Sequence, residues 1–191
     1  MAAPIKITTP FTLEQARALK AGDLVLITGT VYTSRDAAHK RMTEALAKGE
    51  TLPVDFHNQI VYYVGPSPAK PGQPIGSAGP TTSGRMDSYT PQMLDQGLLG
   101  MIGKGYRSPE VIAAMKKHQA VYFAATGGAA ALIAATVKSY EVVAYADLGA
   151  EALARMTVEN FPAIVVIDST GNNFYLEGQK QYCRLPADNN L

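Results

Sequence analysis

The segment Gly79-Pro80-Thr81-Thr82-Ser83-Gly84-Arg85-Met86-Asp87 gathers three hydroxyls and one arginine in a glycine-bounded turn. A guanidinium can grip a carboxylate through two parallel hydrogen bonds, hydroxyls can donate to the same anion, and glycines admit close backbone approach. Anion holding is the chemistry this pattern offers. Its alternative is a surface turn in which Arg85 merely pairs with Asp87. Lys104, in Gly103-Lys104-Gly105, can add a mobile cation to the same site or stand as an ordinary solvated lysine. Arg35 lies where a strand passes into a helix, a junction that presents side chains and free backbone N–H groups toward one space. Otherwise it is a partner for Asp36 or for a carboxylate elsewhere. Three cations leaving strand ends together would focus a small polyanion.

Weaker features surround these. Thr126-Gly127-Gly128 before a run of alanines can cradle a phosphate or carboxylate, or can serve close helix packing. It is neither a Walker A sequence nor a dinucleotide fingerprint. His39 follows Arg35 by four residues, on one helix face, and can support the site or only pack locally. His57 and His118 have no companion at metal-ligand spacing, so no zinc site is expected from this chain. No Gly-x-Ser-x-Gly elbow occurs. The single cysteine, Cys183, excludes an internal disulfide and cannot by itself hold an iron–sulfur cluster.

The totals narrow the class further. The 191 residues fit one compact domain that buries roughly 70% of its unfolded surface, enough for a core without metals or disulfides. Charged residues are 17% of the chain and hydrophobic ones 47%, which fits either a surface partly hidden against a partner or an alanine- and glycine-rich core. With 17 basic and 16 acidic residues the net charge is +1, and no basic stripe tracks a nucleic-acid backbone. No signal peptide pattern opens the chain and no apolar run reaches a membrane span, so a soluble, cytoplasmic protein is the expectation.

The elements that must position the candidate residues alternate between strand and helix. Met1–Thr9 reads as a leading strand or arm, and Thr12–Lys20 as a helix with Thr12 as cap and Gln15 in the capping-box position. Leu24–Thr28 is a buried strand that empties toward Arg35, and Asp36–Lys48 is a helix with Ala37, Ala38, Met42 and Leu46 inward. Ile60–Val64 is a strand, and Gly65–Pro80, with five prolines and four glycines, is a shaped loop. A short helix with Thr90 as cap spans Thr90–Gly97. Then come a strand over Leu98–Gly105, a helix opened by Ser108-Pro109, a strand over Ala120–Ala124 and a helix over Ala129–Val137. Tyr140–Ala146 is expected as strand, Leu148–Met156 as helix and Phe161–Ile167 as a buried strand. A hairpin-type turn at Asp168–Asn173 leads into an extended Phe174–Leu176, and the tail is expected to fray or to pack on a partner. The pattern is that of a single α/β domain.

Six ordered blocks carry a resemblance to a known family. They are Gly29–Arg41 with Ser34-Arg35-Asp36, Tyr63-Val64-Gly65-Pro66, Gly79–Asp87, Ile102-Gly103-Lys104-Gly105, Thr126-Gly127-Gly128-Ala129-Ala130, and Glu159–Ala163 together with Asp168–Asn172. Over nearly its whole length the chain resembles the β subunit of two-subunit class I fumarate hydratases and L(+)-tartrate dehydratases. The resemblance also extends to the C-terminal domain of single-chain, iron–sulfur-dependent fumarases.

The resemblance implies a swivelling β/β/α domain over residues 1–191 that completes its catalytic centre against an α subunit. Three cysteines of that partner would hold a 4Fe–4S cluster, whose free iron acts as a Lewis acid on the substrate hydroxyl, and none would bind to this chain. Arg35 and Arg85 would bind substrate carboxylates, with Thr81 and Thr82 at the reacting end. Thr81 is the implied proton-abstracting base, and Lys104 holds a carboxylate or the leaving hydroxyl region. His39, Gly127 and Gly128 would support the pocket. The implied activity is reversible hydration of fumarate to (S)-malate, in a heteromer of undetermined stoichiometry. The alternatives are dehydration of L(+)-tartrate to oxaloacetate, or a noncatalytic carboxylate-binding domain.

Overall fold

The computed structural model describes residues 3–126 and 128–182. In chain order its elements are β1 (Ile5–Thr8), α1 (Leu13–Ala18), β2 (Leu24–Thr33), α2 (Asp36–Ala47) and β3 (Ile60–Tyr62). Next come α3 (Thr90–Asp95), β4 (Gly100–Gly103), α4 (Pro109–His118), β5 (Val121–Ala124) and α5 (Ala130–Ala135). The last are β6 (Val137–Ala144), β7 (Leu153–Ile167) and α6 (Phe174–Tyr182). Two 3₁₀ turns, Ser83–Met86 and Ala146–Glu151, complete the inventory.

Strand β2 organises this mixed α/β domain because both its edges are paired. On one edge it runs parallel to β1 through Ile5↔Val25 and then to β3 through Tyr32↔Val61. On the other it runs antiparallel to β7, from Leu24↔Ile164 to Thr33↔Ala154. Parallel pairing continues from β3 to β4 and from β4 to β5, and β5 meets the far end of β7 through Ala124↔Ile164. The sheet therefore closes on itself as a ring, β2-β3-β4-β5-β7 and back to β2, with β1 and β6 laid on its flanks. Closure leaves little unpaired strand edge on the ring.

Aromatic side chains fill the interior. Tyr62 meets Phe161 edge-on with ring centroids 5.2 Å apart, and Phe11 meets Phe123 at 5.7 Å. All four are fully buried, and each such ring contributes roughly 1.5–3 kcal/mol relative to exposure. Helix α1 begins as its sequence requires: Thr12 Oγ1 accepts from Gln15 N–H while Gln15 Oε1 accepts from Thr12 N–H, a complete capping box. Ser108 caps α4 in the same manner, accepting from Val111 N–H.

Several local expectations fail. Leu148–Met156 is not a helix: a 3₁₀ turn ends at Glu151, and from Leu153 the chain is already in β7. Its helical periodicity is weak beside the hydrogen bonding available between β2 and β6, which takes Ala154–Val158 on both edges. Phe174–Leu176 opens α6 instead of forming a strand, because Asn173 Oδ1 accepts from Tyr175 N–H and starts a helical turn. Thr90 is the first helical residue of α3, with its hydroxyl donating back to Met86 O, so it does not cap. Ala37 and Leu46 are only half-buried, and His39 takes their place beside Ala38 and Met42 on the inner face of α2.

Candidate active site

Strands β2, β3, β4 and β5 are parallel, so their carboxyl ends share one edge of the ring. Ligand sites of parallel α/β sheets form at such an edge. Arg35 follows β2, Tyr63–Gly65 follow β3, Lys104 follows β4 and Thr126 follows β5.

The Gly79–Asp87 segment is laid across these ends by backbone hydrogen bonds. Pro80 bridges Val64, and Thr81 N–H donates to Tyr63 O at 2.8 Å. Thr82 bridges Lys104, and Ser83 N–H donates to Lys104 O at 2.9 Å. The structure thus brings Thr81, Thr82 and Lys104 together. Ser83 is the buried pin of the arrangement: its Oγ accepts from Lys104 N–H at 3.1 Å and lies 2.9 Å from the Tyr122 hydroxyl. A Cβ at position 103 would overlap that Oγ, which is why glycine precedes Lys104.

Arg35, at the start of α2, and Arg85, in the 3₁₀ turn Ser83–Met86, converge on one carboxylate. Arg85 Nε donates to Asp36 Oδ1 at 2.8 Å, and Arg35 Nη2 lies 3.8 Å from Asp36 Oδ2. Arg35 Nη2 also pairs with Glu151 Oε1 at 3.2 Å, from the 3₁₀ turn that precedes β7. The other Glu151 oxygen accepts from Ala37 N–H at 3.0 Å, so the first turn of α2 is capped by the chain's own acid. Gly65 leaves the space Arg35 needs, since a Cβ there would sit 2.8 Å from Nη1. The expected cluster of free cations is accordingly two arginines paired with two carboxylates, and Lys104 is exposed at the end of β4. The alternative pairing of Arg85 with Asp87 does not occur.

Asp87 instead belongs to Arg107, whose side chain is fully buried. Arg107 Nε donates to Asp87 Oδ1 at 2.7 Å and Nη2 to Thr90 Oγ1 at 2.6 Å, while the guanidinium lies over the rings of Tyr63 and Tyr122. Asp87 Oδ2 accepts from Ser108 N–H at 2.6 Å. These contacts tie the turn carrying Arg85 to the start of α4. Glu151 and Arg107 are site-building residues that the sequence did not single out, whereas Ser83 is expected from it as a hydroxyl facing the anion and Asp36 as the alternative partner of Arg35. Neither Glu151 nor Arg107 has a spacing signature in the sequence.

His39 stands behind the cleft, fully buried, with Nδ1 2.9 Å from both Arg35 O and Ser34 Oγ. Because Arg35 O can only accept, Nδ1 carries the proton and the neutral ring leaves Nε2 as a lone-pair acceptor. Burial lowers its pKa from 6.5 to about 4, against an upward pull from the Arg35 carbonyl. Gly128 sits in the turn before α5 with φ of 86°, Gly127 and Cys183 lie outside the described residues, and Ala130 packs against Gly79. A separate apolar cavity of about 420 Å³ opens beside Lys104, lined by Thr126, Ile164, Phe174, Tyr175 and Gly178 among others.

Together these features define a class: a single mixed α/β domain with an arginine-, lysine- and hydroxyl-bearing cleft at the carboxyl edge of its parallel strands. The family model described as the fumarase C-terminus matches residues 1–178. The chain belongs to that family. It is 38% identical over 179 residues to the aerobic class I fumarate hydratase of Salmonella typhimurium, covering 93% of this chain and 31% of that protein. Against the aerobic class I fumarate hydratase of Escherichia coli K12 the identity is 42% over 159 residues, 82% of this chain and 29% of the other. A putative L(+)-tartrate dehydratase subunit beta of Methanocaldococcus jannaschii is 38% identical over 176 residues, with 89% and 90% covered. The chain therefore spans about a third of the length of the fumarate hydratases it matches, but most of the tartrate dehydratase subunit.

Proposed function

We propose that this chain is the substrate-binding part of a hydro-lyase that hydrates fumarate reversibly to (S)-malate. The observation that carries the reading is the convergence of Arg35 and Arg85 on one carboxylate, beside the Thr82–Lys104 bridge. Two guanidiniums held that closely can each take one end of a dicarboxylate. Negative charge builds on a substrate carboxylate as water adds across the conjugated double bond, and a guanidinium already in place stabilises it without reorganising. Lys104 and Thr82 flank the same space, and Thr81 is the proton acceptor in this reading. A lone hydroxyl is a weak base at neutral pH, so Thr81 acts only with charge assistance from its neighbours. His39 and the Gly127-Gly128 turn support the cleft from behind.

The cleft suits an organic dianion and does not suit an iron–sulfur cluster. One cysteine cannot supply three thiolates, and among the described residues no three His, Cys, Asp or Glu side chains gather. In this reading a 4Fe–4S cluster is held by a partner α subunit with three cluster-ligating cysteines, as the family resemblance implies, and residues 1–191 act as the catalytic domain facing it. In this reading the assembly works in the cytoplasm. Among the described residues no helix is long and apolar enough to cross a membrane.

A second reading, L(+)-tartrate dehydration, is favoured by the 90% coverage of the subunit of that name. It needs an additional partner for the extra substrate hydroxyl, from either chain. One experiment decides among these. The chain is co-expressed anaerobically with a cluster-bearing α subunit, the cluster is rebuilt, and turnover of fumarate, malate and tartrate is measured. Turnover of fumarate and malate above tartrate supports the first reading, the reverse order supports the second, and turnover of none sinks both.

A further inference from the structure

We propose that Asp36 is a positioning residue that sets the fork of Arg85 and couples it to Arg35, an inference that rests on the hydro-lyase reading above. Asp36 opens α2, yet its carboxylate is not used to cap that helix, since the Ala37 N–H is taken by Glu151. It reaches out to two arginines from different parts of the chain. Oδ1 accepts from Arg85 Nε at 2.8 Å, and Oδ2 faces Arg35 Nη2 at 3.8 Å.

The choice of atom on Arg85 matters. A guanidinium has a side edge, containing Nε, and an end edge formed by its two Nη groups, and each can bind a carboxylate with two parallel bonds. Asp36 occupies the side edge. Among the described residues the Nη groups of Arg85 donate to no protein acceptor, and half of the side chain is exposed. The end edge is thus left free for a ligand while the Nε side is held by Asp36. A long arginine side chain in water would otherwise lose substantial rotamer entropy on meeting its ligand, and that cost is removed when Nε is held beforehand.

Arg35 is held in the complementary manner. Its Nη2 is shared between Glu151 at 3.2 Å and Asp36 at 3.8 Å, and its side chain leans on Gly65. Among the described residues Asp36 is the one carboxylate paired with both arginines, so it sets the spacing of the two guanidiniums that the ends of a dicarboxylate would meet. It also brings a negative charge beside an anionic substrate, which opposes ground-state binding. The two effects separate kinetically: positioning supports the transition state, and the like charge raises KM.

Asp36→Asn keeps the shape and removes the charge and the charge-assisted acceptor. In the reconstituted wild-type and variant complexes, we expect kcat to fall about tenfold or more with KM unchanged or lowered, whereas Arg85→Ala raises KM as well. Asp36→Glu, which restores the carboxylate, recovers part of kcat. An unchanged kcat in Asp36→Asn, or a kcat/KM above wild type, overturns the proposal. A second readout does not depend on turnover. In the isolated chain the Arg85 Nε–H proton exchanges slowly by NMR in the wild type and fast in Asp36→Asn, and equal exchange in both overturns the proposal. An inactive wild-type complex with the slow Nε–H intact refutes the hydro-lyase reading and leaves the geometry standing.

Discussion

Replacing Arg107 with Met tests how the turn carrying Arg85 is held. Arg107 is fully buried in its side chain and Asp87 only 15% exposed, so the substitution strands a carboxylate whose remaining partner is the Ser108 N–H. It also frees Thr90 Oγ1 and removes a cation from over two tyrosine rings. Breaking one side of a buried ion pair costs about 3–5 kcal/mol, because the surviving charge has lost its compensation. In a domain of this size each kcal/mol lowers Tm by roughly 2–4 °C, which places the loss at about 6–20 °C. Thermal melts of the purified chain measure it. Lys117→Ala, which breaks the exposed pair with Asp95, is the control and should cost no more than about 1 kcal/mol. Combining Arg107→Met with Asp87→Leu should recover part of the loss, since no orphaned charge remains. If Arg107→Met melted together with the Lys117 control, the buried pair would not be what fixes the turn.

Three further outcomes are expected. Arg85→Ala in the assembled enzyme should lose more than tenfold in kcat/KM, since a charge-assisted pairing is worth roughly 1.5–3 kcal/mol; steady-state kinetics at low substrate checks it. His39 binds its proton far less readily in the folded chain than in the unfolded one, so between its ordinary pKa of 6.5 and about 4 the unfolded state takes up more protons. Stability is therefore full above pH 6.5 and falls as the pH drops toward 4. Urea midpoints at pH 7.5 and 5 should differ by the equivalent of about 2 kcal/mol in wild type, and the contribution should vanish in His39→Gln. Gly103→Ala forces a methyl onto Ser83 Oγ and should cost about 1–3 kcal/mol, of which Ser83→Ala in the same chain restores a part, as read by melting temperature.

The parts of this molecule that sequence reasoning located are those encoded locally. The capping box of Thr12 and Gln15, the Ser108-Pro109 helix start and the buried strand around Val165 each depend on residues a few positions apart. The helix expected over Leu148–Met156 does not form because the fate of this segment depends on β2, more than a hundred residues earlier in the chain. The same divide runs through the site. Arg35, Arg85 and Lys104 stand out beside glycines and hydroxyls, and Asp36 offers itself as a partner of Arg35, but the partner of Arg85 and the closer partner of Arg35 do not stand out. Arg85 lies two residues from Asp87 and binds Asp36; Arg35 adjoins Asp36 and binds Glu151 more closely. Charge balance in the cleft is a property of the ring of strands, and local composition could only count the cations.

The ring has one further consequence, concerning the order in which this protein can be made. Every strand bearing a cleft residue lies before residue 125, yet the strand that joins β2 to β5 spans Leu153–Ile167. As the chain leaves the ribosome, Arg35, Arg85 and Lys104 are present well before the closing strand, and Glu151, the acid that holds Arg35, emerges immediately ahead of it. Antiparallel pairing across that sequence distance is slow, and until it happens the edges of β2 and β5 stay open to other chains. The cleft is thus a late product of synthesis, and the nascent protein is most exposed to misassembly in the interval before its final strand arrives.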